Sequence, residues 1–339
     1  MSKQSWMRGA LAACALGAAL VPLTAAASGT DVIIGYENNG ADPYMVSMAE
    51  HLFEKHMPKA HVEYKMFSSG PAAMSALASN SLNFMCGLGI PPFVTAVEQG
   101  LPMTIVYNQE RYTKAAGIVV KPNSGITSVA GLKGHKIAIV AGSQSSFELA
   151  TFLAEAHVAY DSVTQINMAP PQMRTSWVTG AIDAAIVWDP VYSALQALGG
   201  KVLKNDGQLP RSASSYNVCI ADSKWAAAHP ALARGFVAAL DEGYQITREH
   251  PKRALADMAR QTGVTVAVAR KELAGYELFS GADQTKPKGM GLGAGVATSA
   301  TYQTLVNTAK VLKTIGRIQQ VPASFQDNVA PQYSKFLAH

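Results

Sequence analysis

Three serines fall within four residues at Ser143-Gln144-Ser145-Ser146, directly after Gly142 and an apolar run at 137–141. Such a run reads as a buried strand, the glycine as its turn and the serines as the start of a helix. A helix N-terminus leaves backbone N–H groups unpaired and carries partial positive charge, so these amides and hydroxyls together could hold an oxyanion without a lysine or arginine. Serine before a helix is also an ordinary cap, and taken alone the run reads first as one. Its neighbours raise the binding reading. Polar or glycine-containing segments end four further apolar runs, at Glu37-Asn38-Asn39, Ser68-Ser69-Gly70, Gly89-Ile90-Pro91 and Trp188-Asp189. In open α/β sheets ligands bind beyond the carboxyl ends of the strands, so the convergence of these ends on one crevice favours a site over a cap.

The elements that would position these ends come in two series. In the first, strands at 32–36, 62–66, 82–88 and 103–107 alternate with helices that begin near Pro43, Gly70 and Pro92. In the second, strands at 117–120, 136–141, 163–167, 184–188 and 201–203 alternate with helices at 145–156, 171–179 and 190–197. Alternation of strand and helix predicts parallel α/β sheets. Residues 205–215 are turn-rich, 216–221 form one returning strand, and the chain is helical from Asp222 onward. This helical tail needs an apolar surface to cover, and the first sheet offers one. Two α/β units joined by two strand connections make a hinged pair of lobes: 28–114 with 216–339, and 115–215.

The chain has 339 residues, 48% hydrophobic and 15% charged, which is the composition of a globular protein with a substantial core. Residues 1–27 read as a secretory signal, with Lys3 and Arg8 before an apolar stretch and Ala25-Ala26-Ala27 as the cleavage site. Cys14 within Leu11-Ala12-Ala13-Cys14 makes a lipoprotein the alternative. No other stretch reaches the roughly 18 uninterrupted apolar residues of a membrane span. Removing Lys3 and Arg8 lowers the formal charge from +5 to +3, too mild for nucleic acid. Cys86 and Cys219 sit in apolar runs and read as buried free thiols, although an exported compartment permits a disulfide.

The segment Asn167-Met-Ala-Pro-Pro-Gln-Met-Arg-Thr-Ser-Trp-Val-Thr-Gly-Ala-Ile-Asp-Ala-Ala-Ile-Val-Trp-Asp-Pro190 is similar, without a gap, to a run found in the extracytoplasmic solute-binding proteins of ABC importers. Around it Phe67-Ser-Ser-Gly, Leu88-Gly-Ile-Pro91, Gly131-Leu-Lys-Gly-His-Lys-Ile-Ala138 and Lys224-Trp-Ala-Ala-Ala-His-Pro230 follow the same order. Over essentially the whole mature chain the sequence resembles the nitrate, sulfonate and taurine group of that family, and most closely its taurine-binding members. The resemblance implies a type II periplasmic-binding-protein fold, two lobes closing on one small ligand, and delivery to a membrane permease driven by a cytoplasmic ATPase. It implies a periplasmic monomer without cofactor or metal, and a sulfonate held by helix-start amides and hydroxyls. Carried over, the hydroxyl segment is Ser143-Gln144-Ser145-Ser146, the facing loop Gly89-Ile90-Pro91, and the aromatic wall Trp188. Where taurine binders place an aspartate before the returning strand this chain has Asn217, which cannot neutralise an ammonium. Asp189 and Glu37 are the carboxylates that would compensate.

The expected ligand-binding set is therefore Glu37, Asn38, Ser69, Gly89, Ile90, Pro91, Ser143, Gln144, Ser145, Ser146, Trp188, Asp189 and Asn217. Asp189, before Pro190, also fits a helix cap. Glu37 is costly if buried alone, so it lies solvated at the rim or against a ligand cation. Trp177 reads as packing and Arg111 as half of an ion pair. Some relatives of this fold make thiamine pyrimidine, but Gly142-Ser143-Gln144-Ser145-Ser146 lacks the closing glycine of a nucleophile elbow and the histidines show no metal spacing. The expectation is a binding protein and not an enzyme. A protein that presents ligand to a membrane receptor remains the alternative.

Overall fold

The computed structural model describes residues 30–210, 213–214 and 216–338; the expected signal segment at 1–27 lies outside the described residues. Eleven strands are named among them: β1 Thr30–Glu37, β2 Ala60–Phe67, β3 Phe84–Gly89, β4 Met103–Tyr112, β5 Ala116–Val120, β6 Lys136–Ile139, β7 Thr164–Asn167, β8 Ala184–Trp188, β9 Lys201–Asn205, β10 Tyr216–Asp222 and β11 Tyr276–Leu278. They form a six-stranded sheet in the order β11-β4-β10-β3-β1-β2 and a five-stranded sheet in the order β7-β6-β8-β5-β9. The chain passes from the first sheet to the second between β4 and β5 and returns between β9 and β10.

The expected α/β class stands, with one refinement: the sheets are mixed rather than mainly parallel. β2, β1 and β3 run parallel, as do β7, β6 and β8. β10 is antiparallel to β3 and β4, and β5 is antiparallel to β8 and β9. β5 and β10 are the strands that follow the two crossings. Each enters its sheet from the side where the parallel strands end, so each must run the opposite way.

Burial follows strand composition. β5 and β8 are buried at every position, as continuous apolar runs in the middle of a covered sheet should be. Along β1, Val32 and Ile34 face one apolar cluster with Phe53, Phe236 and Leu255, while Ile33 packs toward another with Leu305, Ala309 and Leu312. This is the two-residue alternation of a strand. The helices Pro230–Glu249 and Ala300–Thr314 thus cover opposite faces of the first sheet, as expected for the helical tail. Phe84 stacks on Phe236 with centroids 3.9 Å apart.

Two expectations are corrected. Strand β4 does not stop at 107 but runs through Asn108, Gln109, Glu110 and Arg111, all buried. Polar side chains can occupy a central strand here because they find partners: Asn108 Nδ2 donates to the Thr301 hydroxyl at 2.8 Å, Glu110 Oε1 accepts from Asn217 at 2.7 Å, and Arg111 pairs with Glu277 at 2.6 Å. Cys86 and Cys219 are buried but not free thiols; they form a disulfide between β3 and β10 across 133 residues of chain. The adjacency of these strands in the sheet, invisible to local pattern, brings the two cysteines together. Among the described residues no helix is long and apolar enough to cross a membrane.

Candidate functional site

A pocket of about 310 Å³, its open mouth included, lies between the two sheets. The first sheet and its loops contribute Glu37, Asn39, Gly70, Gly87, Gly89 and Pro92; Tyr112, Ala116 and Asn217 stand at the crossings; Ser143, Gln144, Glu148 and Trp188 come from the second sheet and its helix. The walls nearly touch. A Cβ added to Gly89 would sit 3.5 Å from that of Gln144, and one added to Gly142 would sit 3.8 Å from Pro71.

Three helices begin at this pocket. Gly70 opens the helix Gly70–Ala78, Gly89 caps Ile90–Glu98, and Ser143 and Gln144 cap and open Gln144–Glu155. Each N-terminus presents unpaired amides and partial positive charge. Proline removes some of those donors at Pro71, Pro91 and Pro92, whereas Gln144–Glu155 has none in its first turn. In this last helix Ser143 Oγ accepts from the Ser145 amide at 3.2 Å.

The serine turn is built around Val140. The Ser143, Ser145 and Ser146 hydroxyls donate to the Val140 carbonyl at 2.8, 3.3 and 3.0 Å. The Val140 amide in turn donates to Ser145 Oγ at 2.9 Å, and the Gly142 amide to Ser146 Oγ at 3.1 Å. Gly142 has φ +78°, which only glycine adopts at little cost. Ser145 and Ser146 are fully buried in these bonds; Ser143 and Gln144 are the members of the run that reach the pocket.

On the facing wall, Asn39 donates to the Gly87 carbonyl at 2.9 Å, and the Gly87 amide donates to Gln109 Oε1 at 2.6 Å. Gly87 has φ +75°, and a Cβ there would lie 2.5 Å from Asn39 Nδ2, so backbone and side chain interlock only around glycine. Glu37 is 5% exposed, and burial pushes its carboxyl well above the usual range. Its Oε1 has no hydrogen-bond partner among the described residues. Glu148 is a second buried carboxylate on the wall, and no lysine, arginine or histidine is among the lining residues. Asn217 donates through Nδ2 to Glu110 Oε1 at 2.7 Å and to the Tyr112 hydroxyl at 2.8 Å.

Glu37, Gly89, Ser143, Gln144, Trp188 and Asn217 are thus brought to one pocket, and the remaining expected residues stand off its wall. Asn38 accepts from the Gly40 amide at 3.1 Å and shapes the turn after β1. Ser69 is the buried cap residue before Gly70, and Ile90 packs into the core. Pro91 lies in the same first turn, but Pro92 is the one that lines the pocket. Asp189 accepts from the Ser193 amide at 2.8 Å, capping the helix Val191–Ala197; burial raises its carboxyl to about 6 despite those bonds. Trp177 is packed in the second core, and Arg111 is ion-paired. Glu148, Tyr112 and, behind the wall, Glu110 are absent from the expected set, and Asn39 enters only as part of a strand end. Glu148 follows Gln144 by four residues on a helix and so shares its face, a legible signal. Glu110 and Tyr112 lie two apart on β4, a signal hidden by the early end assigned to that strand.

The model of the NMT1/THI5-like family matches residues 61–254. A putative aliphatic sulfonates-binding protein of Escherichia coli is 30% identical over 69% of this chain and 72% of its own length. A taurine-binding periplasmic protein of the same organism is 25% identical over 93% of this chain and 96% of its own. The alkanesulfonate-binding protein of Xanthomonas axonopodis pv. citri, solved with MOPS bound, superposes with a TM-score of 0.76 at 22% identity, covering 90% of this chain and 99% of that one.

Proposed function

The chain belongs to the NMT1/THI5-like family, and on that premise we propose that it is an extracytoplasmic binding protein for a small sulfonate that also carries an amine, taurine first. The carrying observation is the pairing, in one pocket, of three helix starts with two buried carboxylates and no basic side chain. Helix-start amides suit an oxyanion, while Glu37, whose Oε1 has no partner among the described residues, suits a cation, so a zwitterion fits where a simple anion would leave that carboxyl opposed. The sulfonate lies at the start of Gln144–Glu155, the ammonium toward Glu37, and the two methylenes against Trp188 and Tyr112.

The likeness to sulfonate- and taurine-binding proteins supports this reading. So do the two sheets whose walls meet at the pocket, which supports two lobes, 28–114 with 216–339 and 115–215, closing on the ligand as a population shift. The protein acts in the periplasm as a monomer, without catalysis, and hands its ligand to an ABC permease with a cytoplasmic ATPase.

The test is a thermal-shift panel on the mature chain with taurine, isethionate, longer alkanesulfonates, sulfate and nitrate. A ligand at a hundredfold excess over its Kd adds about 2.7 kcal/mol, readily seen as a higher Tm. Taurine should stabilise most, with compaction in solution scattering. Stabilisation by none of the sulfonates would sink the proposal.

A further inference from the structure

Asn217 reaches the pocket, but both of its N–H bonds are used, one on Glu110 behind the wall and one on the hydroxyl of Tyr112 beside it. Toward a ligand the side chain can offer only its carbonyl oxygen, an acceptor suited to an ammonium. Glu110 stands opposite Asn217 in the β4–β10 pairing and is fully buried. Its Oε2 has no hydrogen-bond partner among the described residues, and it lines a second, small cavity with Tyr44, Tyr107 and Tyr244.

We propose that Glu110, acting through Asn217, selects for a sulfonate that carries a cationic group and gives up a proton as that ligand binds. This rests on the reading of the pocket as an amino-sulfonate site. The charged and titratable groups that act on or beside Glu110 are Asp42 at the start of the helix Pro43–Ala49, Tyr112 on β4 and Tyr276 on β11. Tyr44, Tyr107 and Tyr244 face it across the second cavity, and Glu37 lies beyond Tyr112. None of these is basic, and Arg111, the next residue along β4, is held by Glu277. Burial, and then the charge of Asp42, push the Glu110 carboxyl well above the usual range.

The Asn217 hydrogen bond works against that shift, and without a ligand cation no basic group adds to it. An ammonium on the Asn217 oxygen brings a positive charge within one side chain of Glu110, which favours the ionised form. The proton passes to the buffer, and the complex holds a cation and a carboxylate bridged by one amide. A ligand with a hydroxyl in place of the ammonium gains nothing from this exchange.

Calorimetric titration of the mature protein with taurine and with isethionate, in phosphate and in Tris at pH 7, reads protons exchanged on binding. Taurine should release up to about one proton and isethionate none. In Glu110→Gln the release should fall below about half, and the preference for taurine over isethionate by about tenfold. Unchanged isethionate affinity would show that the variant's pocket is folded. Asn217→Ser keeps Glu110 but removes the relay, should give the same losses, and decides the matter if Glu110→Gln does not fold. Taurine binding without proton release, or release unchanged in these variants, would overturn the proposal alone. Binding of neither sulfonate would overturn the pocket reading and this proposal with it.

Discussion

The Val140 amide donates to the Ser145 hydroxyl oxygen across 2.9 Å, and the same hydroxyl lies 3.3 Å from the Val140 carbonyl. One buried side chain thereby ties the last residues of a strand to the first turn of the next helix. The turn holds the helix start in place, and Ser143 and Gln144 of that start line the pocket.

Ser145→Ala should accordingly act on stability before affinity. It leaves the Val140 amide buried without that partner, a loss of about 1–3 kcal/mol. Urea denaturation should show this loss, while the affinity for taurine stays within about threefold of the parent, since the helix-start amides remain. A large loss of affinity in a variant of unchanged stability would place the Ser145 hydroxyl on the ligand instead.

Glu37→Gln separates charge from shape. The parent carboxyl is buried beside the pocket, with one oxygen lacking a partner among the described residues. Replacing it should weaken taurine by about 10- to 100-fold, the scale of a hydrogen bond to a charged group. Isethionate affinity should be unchanged. Calorimetry with both ligands checks this, and equal losses for the two would contradict it.

Stability should fall as pH rises from about 4 to about 7. Burial raises Asp42 from 3.8 to about 7, Asp189 from 3.8 to about 6, and Glu272 from 4.5 to about 7, the last helped by the nearby Asp189 charge. Below the ordinary values both folded and unfolded chains hold these protons. Between about 4 and 7 the unfolded chain has released protons that the folded chain retains, so each pH step favours unfolding. Calorimetric scans should show Tm dropping by several degrees over this window, and Asp189→Asn or Glu272→Gln should flatten the dependence.

The disulfide should be detectable and consequential. Thiol titration of the denatured mature chain should find Cys86 and Cys219 unreactive until a reductant is added. Replacing both by alanine should cost about 2–5 kcal/mol, because the bond closes a loop of 133 residues in the unfolded chain. Cys86 precedes Gly87 on the pocket wall and Cys219 follows close on Asn217, so ligand affinity should fall as well.

By itself, the sequence determined the two α/β series, the strand ends that carry polar residues, and the helix start after Gly142. These are local properties, because apolar periodicity and turn residues report on neighbours in the chain. Tertiary structure alone decided which strand ends face inward. Trp188 lines the pocket while Asp189, the next residue, turns away to cap a helix. It also decided the pairing of Cys86 with Cys219 and of Asn217 with Glu110, 107 residues apart. Both pairings depend on β10 running antiparallel between β3 and β4, with register shifts after Asn217. A one-residue slip there would send alternate side chains to the other face. The polar run at 108–111 looked like the end of a strand for the same reason: its partners on β10, β11 and the later helices come from distant parts of the chain.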